Sequence, residues 1–178
     1  MVIYLARHTQ SEYNVLRLLN SDPKVKVHIT KKGIKQAYSL ADRLKDVNYD
    51  AVFISELPRT RQTAIIVNAK HDAKMHVDSR LNDMNSGFEG QNILKFWWSL
   101  SKSEDRQHTN FNDGESFADV RDRAASFLAD LQKKNYSSVL IITHSTLIES
   151  IYELVNDIPL SGSRKYKIPQ GKYAKLEL

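Results

Sequence analysis

Val2-Ile3-Tyr4-Leu5-Ala6-Arg7-His8-Thr9 is the stretch on which the fold turns. Its first five residues form a short apolar run, and an Arg and a His follow at once. Val139-Leu140-Ile141-Ile142-Thr143 repeats the pattern and is followed by His144. Such runs, bounded by polar residues and rich in β-branched side chains, read as strands buried on both faces. In open parallel sheets, ligands bind just beyond the carboxyl ends of the strands. Two imidazoles and a guanidinium placed where strands end therefore point to one shared site for an anion. Neighbouring residues on a regular strand face opposite ways. Arg7 and His8 can serve one site only if the strand gives way to a loop at that point.

Working outward, Ala51-Val52-Phe53-Ile54-Ser55 is a further strand, with weaker strand signals at 75–78 and 173–177. Helical patterns lie between them. Thr30 is placed to cap a helix to about Lys45, with Ile34, Ala37, Leu40, Ala41 and Leu44 inward. Pro58 suits the first turn of a helix to about Ala69. Apolar residues recur at helical spacing from Asp113 to about Lys133, and again from Leu147 to Val155. Strands alternating with helices predict an α/β protein: a three-layer α/β/α sandwich around a mostly parallel central sheet. A single domain over 1–178 is expected, because no repeat, low-complexity tract or linker divides the chain. Residues 81–112 are the least regular. They read as an insertion over the site, with a helix from Asn92 to Lys102. Phe88, Phe96, Trp97 and Trp98 are candidates for an apolar wall at its mouth.

With 178 residues, 41% hydrophobic and 26% charged, the chain has the composition of a globular domain able to bury its own core. It contains no cysteine, which excludes disulfides, thiolate metal sites and a Cys-nucleophile phosphatase. The first apolar run is too short for a secretory signal, and nothing reaches the length of a membrane span. A cytoplasmic protein with no membrane partner is expected. The net charge of +5 is unevenly spread, over Lys24, Lys26, Lys31, Lys32 and Lys35, and over Arg164, Lys165, Lys167, Lys172 and Lys175. These clusters read as solvated basic faces. No nucleic-acid motif accompanies them, so no nucleic-acid partner is expected.

The chemistry follows from the residue types. A neutral imidazole is a nucleophile near pH 7 and can accept a phosphoryl group. Phosphoryl transfer spreads charge over three equatorial oxygens, so it needs a preorganised cationic cradle. Guanidinium suits that role, because it stays charged and can bond two oxygens at once. Arg7 supplies one such group. Arg59 supplies another, in the first turn of the helix leaving the second strand, where free amides also attract phosphate. Arg61 reads as solvent-facing. His28, His71, His76 and His108 lack metal-ligand spacing, and no Walker-type loop is present. Neither a metal nor a cofactor is expected.

Arg7-His8-Thr9-Gln10-Ser11-Glu12-Tyr13-Asn14 resembles the signature of the histidine phosphatase superfamily, in its phosphoglycerate mutase-like branch. Further blocks resemble that family in the same order. They are His28-Ile29-Thr30-Lys31-Lys32-Gly33-Ile34-Lys35-Gln36-Ala37, Ser55 to Ala64, Leu81-Asn82-Asp83 with Gly87 and Glu89-Gly90, Gly114-Glu115-Ser116, and Thr143-His144-Ser145. The resemblance implies that His8 accepts the phosphoryl group. Arg7, Arg59 and His144 would complete the pocket, with Gln10, Asn14 and Ser145 near the substrate. It also implies an acid that protonates the leaving oxygen. The matching position is Asp83, where the family carries Glu; Glu89 and Glu115 are the other candidates. Ser145 stands where the family commonly has Gly.

The function implied is a metal-independent phosphatase, of the histidine acid type, acting on a small phosphomonoester through a phosphohistidine. The alternatives are a cofactor-dependent phosphoglycerate mutase, which the short chain disfavours, and a non-catalytic phospholigand-binding module on the same fold.

Overall fold

The computed structural model describes residues 1–160 and 166–178. Arg164 and Lys165 of the late basic cluster lie outside the described residues. Five strands, β1 (Val2–Arg7), β2 (Ala51–Ile54), β3 (Lys74–Val77), β4 (Ser138–Thr143) and β5 (Tyr173–Glu177), form one sheet in the order β3-β2-β4-β1-β5. All neighbours are parallel except β1 and β5. Among the described residues six α-helices accompany them: α1 (Glu12–Leu16), α2 (Lys31–Leu44), α3 (Pro58–Asn68), α4 (Ile93–Ser101), α5 (Phe117–Gln132) and α6 (Ser145–Val155).

The alternation of side chains along each strand makes the three layers. Ile3, Leu5, Phe53, Val139 and Ile141 enter one apolar cluster with Val120, Ala124 and Phe127 of α5 and Leu147, Ile148 and Ile151 of α6. Ala6, Val52, Ile54, Leu140 and Ile142 point the other way, onto Leu40 and Leu44 of α2 and Ala64 and Val67 of α3. Each central strand thus buries both faces, which is why these runs are apolar without interruption.

Thr30 caps α2 as expected, its side chain accepting from Gly33 N. The inner face of that helix is Gly33, Ala37, Leu40 and Leu44, whereas Ile34 is exposed. Gly33 shifts the contact stripe, because a Cβ there would lie 2.2 Å from the Gln10 carbonyl oxygen. The helix expected from Asp113 begins only at Phe117. Asn112 and Asp113 have φ of 48° and 58°, so the chain is still turning, and Ser116 then starts the helix with a capping box to Asp119. The short α1, also opened by a capping box between Ser11 and Asn14, is too brief to leave a periodic signal.

Candidate active site

The register of the sheet creates the site. Arg7 of β1 pairs with Thr143 of β4, so His8 and His144 are the next residue on each strand. His8 N donates to Thr143 O at 3.1 Å, and the two ring centroids stand 5.0 Å apart. The named ladder ends at Arg7, and Arg7 and His8 both line one hollow, as a strand breaking at that point requires. Arg59 enters from the first turn of α3, and Asp83 from the loop beyond the short 3-10 turn Ser79–Leu81. The hollow encloses about 80 Å3 and includes Ser11, Asn14, Asn20, Ser145 and Thr146 among its walls. Ser145 and Thr146 begin α6, so the amides of that helix terminus border the same space.

His8 is 2% exposed, and its Nδ1 lies 2.7 Å from the Thr9 carbonyl oxygen. A carbonyl can only accept, so the proton of the neutral ring is on Nδ1 and Nε2 keeps its lone pair. The Thr9 amide and hydroxyl both meet Thr63 Oγ1, which donates to Arg59 O at 2.7 Å and ties this carbonyl to α3. Burial holds the His8 imidazole well below its ordinary titration range, and the charges of Arg59, His144 and Arg7 push the same way. His144 is fully buried and is lowered by burial, then by Arg59, Arg123 and Arg7. Both rings are therefore neutral at pH 7.

Asn20 braces Arg59, accepting from Nη1 through Oδ1 at 2.6 Å and from Nη2 through its carbonyl at 2.8 Å. Asp83 Oδ2 takes a further bond from Arg59 Nη2 at 3.1 Å and lies 3.6 Å from His144 Nδ1. Burial lowers the Arg59 guanidinium, and Asp83 opposes that shift. Arg7 Nε and His144 Nδ1 are buried without a hydrogen-bond partner. Arg7 lines the hollow, so its free Nε leaves capacity there for a polar occupant, and His144, fully buried, stands behind with its ring 5.0 Å from that of His8.

The structure also separates residues that the sequence grouped. Gln10 does not line the hollow. Its Oε1 accepts from Thr30 Oγ1 at 2.9 Å, and its amide donates to Gln36 Oε1 at 2.8 Å, so it fastens the loop to α2. Asn14 does line it, with Oδ1 taking bonds from Ser11 and Gln170. Glu89 is held by Asn20 and Ser21, and Glu115 by Arg123 and the Asn85 amide, which leaves Asp83 as the carboxylate lining the hollow. Of the aromatic residues at 88–98, Phe96 reaches the hollow. Phe88 and Trp97 pack against Phe96, and Trp98 is 62% exposed beneath the Lys102 ammonium. The apolar wall is instead Leu18, Leu19, Met84, Ile93 and Phe96. Sequence reasoning missed Asn20, which lies in a loop with no periodic or motif signal. It also missed Arg123, which grips the carbonyls of Arg80 and Asn82 and so fixes the loop that carries Asp83.

A mostly parallel α/β sheet that brings His8, Arg7 and Arg59 to one small hollow, with the buried His144 ring 5.0 Å from that of His8, defines a protein suited to holding a tetrahedral oxyanion. The chain belongs to the histidine phosphatase superfamily (branch 1), whose family model matches residues 3–178. It is 26% identical to the adenosylcobalamin/alpha-ribazole phosphatase of Salmonella typhimurium over 185 residues, covering 100% of this chain and 91% of that protein. It is 28% identical over 186 residues to a protein of Escherichia fergusonii named "Probable phosphoglycerate mutase GpmB", covering 98% of this chain and 84% of the other. Among solved structures, the alpha-ribazole phosphatase from Shigella flexneri superposes with a TM-score of 0.88 at 26% identity, covering 100% of this chain and 91% of that one. No helix among the described residues is long and apolar enough to cross a membrane.

Proposed function

We propose that the chain is a cytoplasmic, histidine acid-type phosphatase that hydrolyses a small phosphomonoester through a phosphohistidine on His8. The observation that carries this reading is the Nδ1 bond of His8 to Thr9 O at 2.7 Å, which leaves Nε2 as the nucleophile inside the hollow. Nε2 attacks phosphorus in line as the bond to the ester oxygen breaks. Asp83, once protonated, delivers a proton to that oxygen, and the alcohol departs. Water then attacks the phosphohistidine, Asp83 takes its proton, and phosphate leaves with His8 restored.

Arg7 and Arg59 neutralise the equatorial oxygens, and the amides at the head of α6 add donors. These groups supply the charge that a metal would otherwise provide, so the reaction needs no metal or cofactor. Ser145 and Asn14 border the substrate, and the segment 81–112 covers it as a cap within one domain.

The test is turnover of p-nitrophenyl phosphate in EDTA, with acid-labile phosphate trapped on the wild-type chain and absent from His8→Ala. Trapping that survives His8→Ala overturns the assignment. Likeness to proteins named as mutases makes interconversion of 3- and 2-phosphoglycerate the comparison assay. Phosphate binding without turnover of any ester would instead identify a non-catalytic binding module.

A further inference from the structure

Ser55 and Thr60 lie behind His144, buried and away from the apolar wall of the hollow. Thr60 Oγ1 is 2.8 Å from Leu57 O, Ser55 Oγ is 2.8 Å from Thr60 Oγ1, and His144 Nε2 is 2.8 Å from Ser55 Oγ. Each hydroxyl has one proton to give. Leu57 O can only accept, and two oxygens at that distance repel unless a proton lies between them. Thr60 therefore spends its proton on a backbone carbonyl, Leu57 O at 2.8 Å, with Ser55 O a second acceptor at 3.2 Å. Ser55 must then donate to Thr60, and has no proton left for His144. The Leu57 amide also donates to Ser55 Oγ, at 3.3 Å. So His144 donates through Nε2, and its neutral ring carries a lone pair on Nδ1, the atom left without a partner.

We propose that Ser55 and Thr60 are positioning residues that lock His144 in the Nε2–H tautomer, so that entry of a phosphate dianion brings one proton onto His144 Nδ1. The two imidazoles then rest in opposite tautomers, His8 protonated on Nδ1 and His144 on Nε2. His144 is fully buried and its bare Nδ1 lies 3.6 Å from Asp83, which lines the hollow, so a proton placed there turns repulsion of an entering dianion into attraction. The groups that bear on His144 are Arg7 and His8 at the end of β1, Arg59 on α3, Arg123 on α5 and Asp83. The cations oppose protonation in the empty site, and the incoming dianion offsets them.

For the enzymatic step this inference rests on the proposed phosphatase reading. Nδ1 lies 3.6 Å from Asp83 Oδ2, so once the two close to hydrogen-bond distance the bound proton passes to the carboxylate and from it to the ester oxygen as the P–O bond breaks. The leaving oxygen is thus protonated by the proton that arrived with the substrate. His144 returns to neutrality as the bond from His8 Nε2 to phosphorus forms.

The test uses inorganic sulfate, a dianion with no titration of its own near neutrality, on the wild-type chain. Calorimetry in buffers of different ionisation heat is expected to show uptake of one proton per sulfate. Affinity should fall about tenfold per pH unit between pH 7 and 8, as one-proton linkage requires. Nitrogen-15 spectra of the histidine rings, with His144→Gln for assignment, should show His144 as the Nε2–H tautomer in the free protein. Ser55→Ala and Thr60→Val should mix that tautomer and change the pH profile of kcat more than KM, and Ser55→Thr should restore both. Sulfate binding without proton uptake, or a free His144 protonated on Nδ1, overturns the proposal. Loss of p-nitrophenyl phosphate turnover with the sulfate linkage intact would count against the phosphatase reading alone.

Discussion

His8 and His144 stand one residue beyond a paired rung of the sheet, Arg7 opposite Thr143, and their rings meet at 5.0 Å and 54°. Strand register, rather than loop conformation, sets the spacing of the two imidazoles.

Replacing His8 by Ala removes the nucleophile and leaves the cations in place. Turnover should fall to background, while phosphate still binds and the folded baseline is kept. Rapid-quench trapping of phosphoenzyme and a phosphate titration read the two effects separately.

Asp83→Asn keeps a polar group beside Arg59 and cannot release a proton to the alcohol. A loss of about 10²- to 10⁴-fold in kcat is expected for alkyl phosphates. The loss should be much smaller for p-nitrophenyl phosphate, whose leaving group needs no proton. An equal loss for both ester types would remove Asp83 as the acid.

Asn20→Ala strips the side-chain bond from the Arg59 guanidinium, which keeps the Asn20 carbonyl and Asp83. With one partner gone from a buried charge, a cost of about 1–3 kcal/mol is expected. KM for small esters should rise as the guanidinium loses its orientation. Urea unfolding and steady-state kinetics on the same variant check both.

Acid should weaken the fold through the two site histidines. Burial and neighbouring Arg charges lower both imidazoles in the folded chain, so between the ordinary value of about 6.5 and the folded values the unfolded chain binds more protons. Their contribution is complete above about pH 6.5 and is lost as pH falls through that window, at about 1.4 kcal/mol per pH unit for each ring. Denaturant midpoints at pH 7.5 and 5.5 should drop less in His144→Gln than in the wild type.

Gly33→Ala would drive a methyl group into the Gln10 carbonyl, 2.2 Å from an ideal Cβ. Backbone cannot move aside as a side-chain tip can, so a loss of roughly 1–3 kcal/mol is expected. Because Gln10 continues the loop from His8, kcat should fall as well. A variant with unchanged thermal midpoint and activity would contradict the close packing.

The central strands are legible because a buried parallel strand must be apolar on both faces, as Val139 to Ile142 is, whereas the exposed β3 and the antiparallel edge strand β5 leave weaker signals. His144 and His8 were legible for the same reason, being the polar residues at which those runs stop. Gln10 was misplaced because spacing fixes where a backbone goes and leaves open which way a long side chain turns. Here the cap of α2 offered Thr30 as a nearer partner. Asn20 and Arg123 were invisible because their work is done at carbonyls and amides, which every residue has. The aromatic residues at 88–98 were read by type alone, and side-chain packing against Phe96 decided which of them reached the hollow.

His8 follows directly on β1, yet both neighbours of that strand, β4 and β5, come from the later part of the described chain. During synthesis on the ribosome β1 must wait, unpaired, until residues 138–143 have emerged to form β4. Pairings between such distant segments slow folding. They also ensure that no nascent fragment lacking β4 displays a competent pocket: maturation of the reactive centre coincides with the docking of β1 on β4.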